Sequence, residues 1–287
     1  MKYALYTGCT AKESTPELLK STLAVAKVLG IEIEILNEAS CCGASHLQDF
    51  DEFLSLVLNA RNICLAEKRG LKLVTLCNTC QLMLENTKQK LDSDEEVKAK
   101  VNEKLAEVGY KYTGESKIQH FLYAILEDVG LEEISKHVKK PLNLKVAPFY
   151  GCHIIRPSKT HDGANLNENP FKPNAIESLI KVLLGEPVDY AMKTKCCGFH
   201  VDLQNTPVSE KLTASALIDA SESGAEMMVT PCPLCHLNLD VKQKAAAKEA
   251  NKEFNMPVLH LPQLIGLAFG IEPKELGLHH HVTPVEV

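Results

Sequence analysis

The sequence predicts an α/β protein made of two pseudo-twofold-related halves. Each half is a mainly parallel sheet flanked by helices, with cysteine motifs at the carboxyl ends of strands. Three observations predict this. Strand-like apolar runs alternate with helix-period segments along the chain. A five-cysteine pattern is written twice, and each cysteine motif follows a strand-like run.

The elements follow in order. Residues 3–6, 31–36 and 71–76 read as strands and lead into Gly8-Cys9, Cys41-Cys42-Gly43, and Cys77 with Cys80. Residues 146–150, 188–192 and 227–229 lead likewise into Gly151-Cys152, Cys196-Cys197-Gly198, and Cys232 with Cys235. Cys42 and Cys77 stand 35 positions apart, as do Cys197 and Cys232. Helix-period segments cover 16–29, 50–68, 81–108, 175–184, 209–223 and 237–254. His120 and His260 each open a further apolar run that ends at a glycine, Gly130 and Gly270. Lys139-Lys140-Pro141 is the expected joint, dividing the chain into a first domain, 1–140, and a second, 141–287. The second half has an extra loop over 161–173, and the first has a longer charged helix over 91–108.

In such sheets ligands bind beyond the carboxyl ends of the strands, so this layout gathers distant cysteines at one edge. Helix N-termini that follow the motifs add N–H donors and partial positive charge, which stabilise thiolates.

The 287 residues, 45% of them hydrophobic, are enough to bury a substantial core. The net charge of −6 gives no general attraction to nucleic acid or to an anionic membrane. Eleven cysteines, an odd number in a long chain, argue against a disulfide-stapled secreted domain. The first strand runs directly into a cysteine motif and leaves no room for a signal peptide. The expectation is a reducing cytoplasm, where thiols persist as metal ligands. No membrane span is expected: the longest apolar stretch, 259–271, contains Pro262, Gln263 and two glycines, and falls short of about 20 residues. His279, His280 and His281 read as a solvated tail.

Thiolates favour iron–sulfur clusters, zinc and copper(I). One Cys-x-x-Cys after a strand also describes a thioredoxin-like redox pair. Two copies, each with Cys-Cys-Gly upstream, favour metal ligation. Cys232 to His236 matches a haem-attachment pattern, but Gln81 replaces that histidine in the first copy and no export signal is seen. A structural zinc and a standard cubane each take four ligands. Five cysteines per half therefore leave either an idle thiol or a bridging one. Cys64 has no counterpart in the second half and reads as core packing. His120 and His260 read as strand-end histidines that satisfy backbone groups, His236 as an N-terminal helix residue, and Asp92 to Glu96 as a solvated helix face. No Gly-x-Gly-x-x-Gly fingerprint predicts a dinucleotide cofactor, and no Cys-x-x-Cys-x-x-Cys run is present, so electrons are expected from a separate partner.

The doubled order of Cys, Cys-Cys-Gly and Cys-x-x-Cys resembles the cysteine-rich, or CCG, domain family. Tyr6-Thr7-Gly8-Cys9, Tyr150-Gly151-Cys152-His153 and Ile155-Arg156-Pro157, with the length, resemble the heterodisulfide reductase B subunits of methanogenic archaea. The resemblance implies one noncubane 4Fe-4S cluster per half. Cys9, Cys41, Cys42, Cys77 and Cys80 would hold the first, and Cys152, Cys196, Cys197, Cys232 and Cys235 the second. It implies reduction of the coenzyme M–coenzyme B heterodisulfide to two thiols, a reaction of methanogenesis. The implied partners are the flavin-containing and the ferredoxin-like subunits of heterodisulfide reductase. Together they would join a larger electron-bifurcating complex with a hydrogenase or formate dehydrogenase. The first gap is 32 positions in one copy and 44 in the other, so the two sites need not be equivalent.

Cleaving a disulfide takes two electrons. A disulfide held between two facing centres could receive both without releasing a thiyl radical. His153, beside Cys152, is the candidate catalytic proton donor, since imidazole titrates near neutral pH. Lys12, Arg156, Lys193 and Lys195 lie near cysteine motifs and are candidate substrate-binding residues for sulfonate, carboxylate and phosphate groups. A second reading is a CCG-type electron-transfer subunit of a thiol:fumarate reductase, succinate dehydrogenase or glycolate/lactate oxidase. A third is a zinc-stabilised scaffold within a larger complex.

Overall fold

The structure is a computed structural model that describes residues 1–286 except 45, 162, 164, 165 and 167. Part of the extra loop expected over 161–173 thus lies outside the described residues. The first half comprises β1 (Lys2–Tyr6), α1 (Gly8–Glu13), α2 (Pro16–Val28), β2 (Glu32–Ile35), α3 (Leu47–Phe50), α4 (Glu52–Glu67), β3 (Lys72–Thr75), α5 (Asn78–Ser93), α6 (Glu95–Ala106), β4 (Ile118–His120), α7 (Phe121–Asp128) and α8 (Leu131–Lys136). The second comprises β5 (Lys145–Pro148), α9 (Ala175–Val182), β6 (Glu186–Pro187), α10 (Thr206–Glu222), β7 (Met227–Thr230), α11 (Pro233–His236), α12 (Gln243–Ala250), β8 (Val258–His260) and α13 (Leu261–Ala268).

Each half forms one four-stranded, wholly parallel sheet, in the orders β2-β1-β3-β4 and β6-β5-β7-β8. The two orders match, as a doubled sequence requires. Residues alternate between faces along each strand. Leu5, Val74, Val146 and Val229 enter one apolar core, and Ala4, Tyr6, Leu73, Ala147 and Met228 enter the other. Both cores draw on both halves, so the two sheets are packed as one body of shared hydrophobic contacts. The expected fold class is the observed one.

Three elements differ from expectation. The helix expected over 81–108 starts earlier, with Cys77 as its N-cap, and breaks at Asp94. Asp94 is extended, and its carboxylate accepts the Val97 N–H at 3.1 Å, which caps α6 and ends α5. Asp92 to Glu96 therefore include a cap as well as solvated acids. The strand expected over 188–192 is displaced to Glu186–Pro187. Proline has no N–H for the ladder, so β6 is a short edge strand. The helix expected over 237–254 begins at Pro233 and passes through a π-helical turn, Leu237–Val241, before α12.

Candidate metal centre

In each sheet the first and third strands are neighbours, and the order reverses there. This is the edge at which doubly wound sheets bind ligands. Cys9 stands in α1 after β1, and Cys77 caps α5 after β3. In the second half Cys152 follows β5 and Cys232 caps α11 after β7. The Cys-Cys-Gly turns follow β2 and β6. Chain segments far apart in sequence thus deliver thiols to one place.

The thiols of the first half converge. Cys9 Sγ lies 3.7 Å from Cys41 Sγ, and Cys42 Sγ lies 3.5 Å from Cys80 Sγ. In the second half Cys152 pairs with Cys196, and Cys197 pairs with Cys235. Backbone donors face the thiols at matching positions: the Gly43 N–H meets Cys41 Sγ at 3.4 Å, and the Gly198 N–H meets Cys196 Sγ at 3.3 Å. Gly8 and Gly151 adopt positive φ, +72° and +71°. A Cβ at Gly8 would come within 3.0 Å of Cys80 Sγ, and one at Gly151 within 2.9 Å of Cys235 Sγ. The glycine before each leading cysteine therefore lets the backbone close onto the last thiol of the set.

The two sets meet. Cys77 Sγ lies 4.0 Å from Cys232 Sγ across the halves. Asn78 Nδ2 donates to the Tyr150 carbonyl at 2.8 Å, bridging the same seam. Thr79 Oγ1 lies 2.9 Å from His153 Nδ1 and 3.2 Å from His200 Nε2, and His200 Nδ1 lies 3.5 Å from His46 Nε2. A cleft here is lined by Thr79, His153, Phe199, His200 and second-half cysteines. Among the described residues, no lysine or arginine lines it.

The halves differ in exposure. Cys9 and Cys41 are exposed, whereas Cys152 and Cys196 are half-buried, and the remaining cysteines are buried. A cavity of about 300 Å³ opens beside Cys9 and Cys41 and includes Lys12.

Crowded thiols resist joint ionisation. The hydrogen bond with Cys41, then burial, pushes the Cys9 thiol up, and the hydrogen bond with Cys196, then burial, does the same to Cys152. A bound cation reverses this logic by holding neighbouring thiolates together. Ten soft donors in two converging sets, with N–H donors aimed at sulfur, fit an iron–sulfur centre in each half. Burial pushes Cys64 up to about 12, and it is buried on α4, as expected.

The basic residues are less gathered. Lys193 is held by Glu177 and Asp189, each at 2.8 Å, and Arg156 Nη1 donates to the Thr194 carbonyl at 2.6 Å. Lys195 is exposed. His120 and His260 satisfy backbone groups as expected. His120 Nδ1 accepts the Leu122 N–H at 3.1 Å, and His260 shares a reciprocal capping box with Gln263, whose Oε1 accepts the His260 backbone N–H at 2.9 Å. His281 corrects the solvated-tail expectation: it is half-buried, and Nε2 lies 3.0 Å from Gln263 Oε1. The tail folds back because Asp240 accepts the Val282 and Thr283 N–H groups, each at 2.9 Å. Thr79, His46 and His200 escaped the sequence reading. Their signal was position, since Thr79 lies inside a Cys-x-x-Cys and a histidine follows each Cys-Cys-Gly.

Two linked parallel sheets with cysteine clusters at their strand ends define a duplicated cysteine-cluster protein. The chain belongs to the CCG family of cysteine-rich domains, whose pattern matches residues 3–85 and 146–240. It is 42% identical to the 8-methylmenaquinol:fumarate reductase membrane anchor subunit of Wolinella succinogenes, over 98% of this chain and 96% of that protein. It is 34% identical to the B subunit of a ferredoxin/F420H2-dependent CoB-CoM heterodisulfide reductase from Methanosarcina acetivorans, over 98% of this chain and 93% of that one. A protein of Archaeoglobus profundus described as like the heterodisulfide reductase B subunit is 33% identical, over 96% and 93%. The expected likeness to heterodisulfide reductase B subunits is borne out. A hypothetical protein from Helicobacter pylori shares the fold, with a TM-score of 0.79 at 18% identity over 99% of this chain. The chain spans 52% of that structure's length. Among the described residues no helix is long and apolar enough to cross a membrane.

Proposed function

We propose that the chain is the iron–sulfur electron-transfer component of a CCG-type oxidoreductase complex. Each domain, 1–140 and 141–287, holds one cluster of noncubane 4Fe-4S type on its five cysteines. When bound, the clusters supply paired one-electron storage. The observation that carries the reading is the approach of the two thiol sets at Cys77 and Cys232. Centres held there sit close enough to share electrons.

The chain's own residues do the rest. Gly43 and Gly198 aim N–H groups at sulfur, which stabilises added negative charge. Burial lowers the His153 pKa, so its ring is neutral at pH 7, and Thr79 orients it in the cleft. His153 serves as the proton-handling group of the cleft. The exposed Cys9 and Cys41 give a partner access to the first centre. A flavin-bearing protein and a ferredoxin-like protein are the partners this implies, in a cytoplasmic setting.

Between the two enzyme readings, the 42% identity to a component of a fumarate reductase favours a complex coupling quinol and fumarate. Heterodisulfide reduction stays as the second reading on one observation, the 33% to 34% identity to B subunits over nearly the whole chain.

Anaerobic purification with iron and sulfide analysis tests the centre, and about eight irons per chain are expected. Viologen-reduced complex is then mixed with fumarate or with the heterodisulfide. Oxidation by fumarate alone is expected. Oxidation by the heterodisulfide overturns the fumarate assignment, and a folded, colourless, iron-free chain overturns the cluster assignment.

A further inference from the structure

Behind the second Cys-x-x-Cys turn lies another set of ligand-type side chains, apart from the ten thiols. Glu17 of α2, His236 of α11 and His260 at the start of α13 are all buried. One carboxylate oxygen and one ring nitrogen from each histidine lie within 4.8 Å of one another. His260 Nε2 is 3.2 Å from Glu17 Oε1. That separation suits two donors sharing one ion at about 2.0–2.2 Å.

His236 has the bonding pattern of a metal-bound imidazole. Its Nε2 faces the Val258 carbonyl at 2.9 Å, so Nε2 carries the proton and donates. Its Nδ1 is buried and has no hydrogen-bond partner among the described residues. Ligating histidines characteristically donate the other ring N–H to a carbonyl in this way. Glu17 is 5% exposed, its carboxyl meets the His260 ring, and burial raises its pKa above the ordinary carboxylate value. A carboxyl buried in this way stays ionised only where a cation offsets its charge.

We propose that Glu17, His236 and His260 hold one divalent cation of borderline softness, zinc in type. Two imidazoles and a carboxylate are a zinc donor set. The ion neutralises the buried carboxylate and ties α2 of the first half to α11 and α13 of the second. The rings of His236 and His260 now stack with centroids 3.8 Å apart and planes 23° apart. A shared ion draws their nitrogens together and opens that stack. A cavity lined by His281, Lys274, His279 and Pro284 opens near the site, where His281 Nδ1 lies 3.3 Å from His236 Nε2. The site uses no thiol and is independent of the iron–sulfur assignment.

The test uses the full chain, purified anaerobically, stripped with a mild chelator and reloaded with Zn2+. Iron and zinc are counted together, and zinc K-edge absorption reads the ligand atoms. One zinc per chain with only nitrogen and oxygen neighbours is the expected result. Glu17→Gln is expected to weaken zinc binding at least tenfold with iron content unchanged. Zinc absent after loading, or zinc bound through sulfur, overturns the proposal. Those outcomes are read on the unmutated chain, so a variant that fails to fold does not obscure them. Iron loss with zinc retained would count against the cluster assignment alone.

Discussion

Cys77 and Cys232, 155 positions apart in sequence, bring their sulfurs within 4.0 Å of each other. They occupy equivalent places, each the N-cap of the helix that follows the third strand of its sheet. The two halves therefore meet at matching positions, and each set of thiols borders the other there.

Cys77→Ser should remove about half of the iron. It should also alter the electron paramagnetic resonance signal of the centre that survives, because a neighbouring sulfur of that centre has been changed. Iron analysis and spectra of the reduced protein check this. An unaltered second signal would mean that the two sets act separately.

Gly8→Ala and Gly151→Ala place a methyl group 3.0 and 2.9 Å from Cys80 and Cys235 sulfurs at positive φ. The backbone strain alone costs about 1–2 kcal/mol. Each variant should lose iron from its own half. Gly30→Ala, at φ +66° with nothing within 4 Å of the new methyl, should bear the strain yet keep its iron. Thermal melts and iron counts separate the two effects.

Burial pushes the His120 pKa down to about 4, against about 6.5 in the unfolded chain. Between those values the unfolded state binds more protons, so stability falls as the pH falls. The full loss is about 3 kcal/mol once the pH is below 4. His120→Asn keeps an N-cap acceptor for the Leu122 N–H and removes the titration. Denaturant melts between pH 7 and pH 4 should then show a shallower decline for the variant.

Cys64→Ala should retain all iron, since Cys64 belongs to neither converging set. It should cost about 1 kcal/mol through lost packing in α4. Iron loss in this variant would make Cys64 part of a centre.

His153→Ala should slow turnover of the assembled complex while iron stays constant. Thr79→Val should act in the same direction with a smaller effect, because it frees the ring without removing it. Steady-state rates beside iron counts read both.

Much of the architecture was legible in the chain. The runs at 3–6, 71–76 and 227–229 became β1, β3 and β7 because apolar and β-branched residues there fill two cores at once. The α5–α6 break was hidden because Asp94 is an ordinary polar residue until its carboxylate caps Val97. The displacement of β6 was hidden because the apolar run at 188–192 lies beyond Pro187, while the ladder pairs only Glu186 and Pro187 with Lys145 and Val146.

The doubled five-cysteine pattern is legible in the spacing, and the parallel sheets in the alternation of strand and helix periods, since periodicity and repeated motifs are local properties of the chain. The contact of Cys77 with Cys232, the tie from Thr79 to His153 and the burial of Glu17 against His260 were decided by tertiary packing. Each joins residues from opposite halves, and only the docking of one sheet on the other sets those distances.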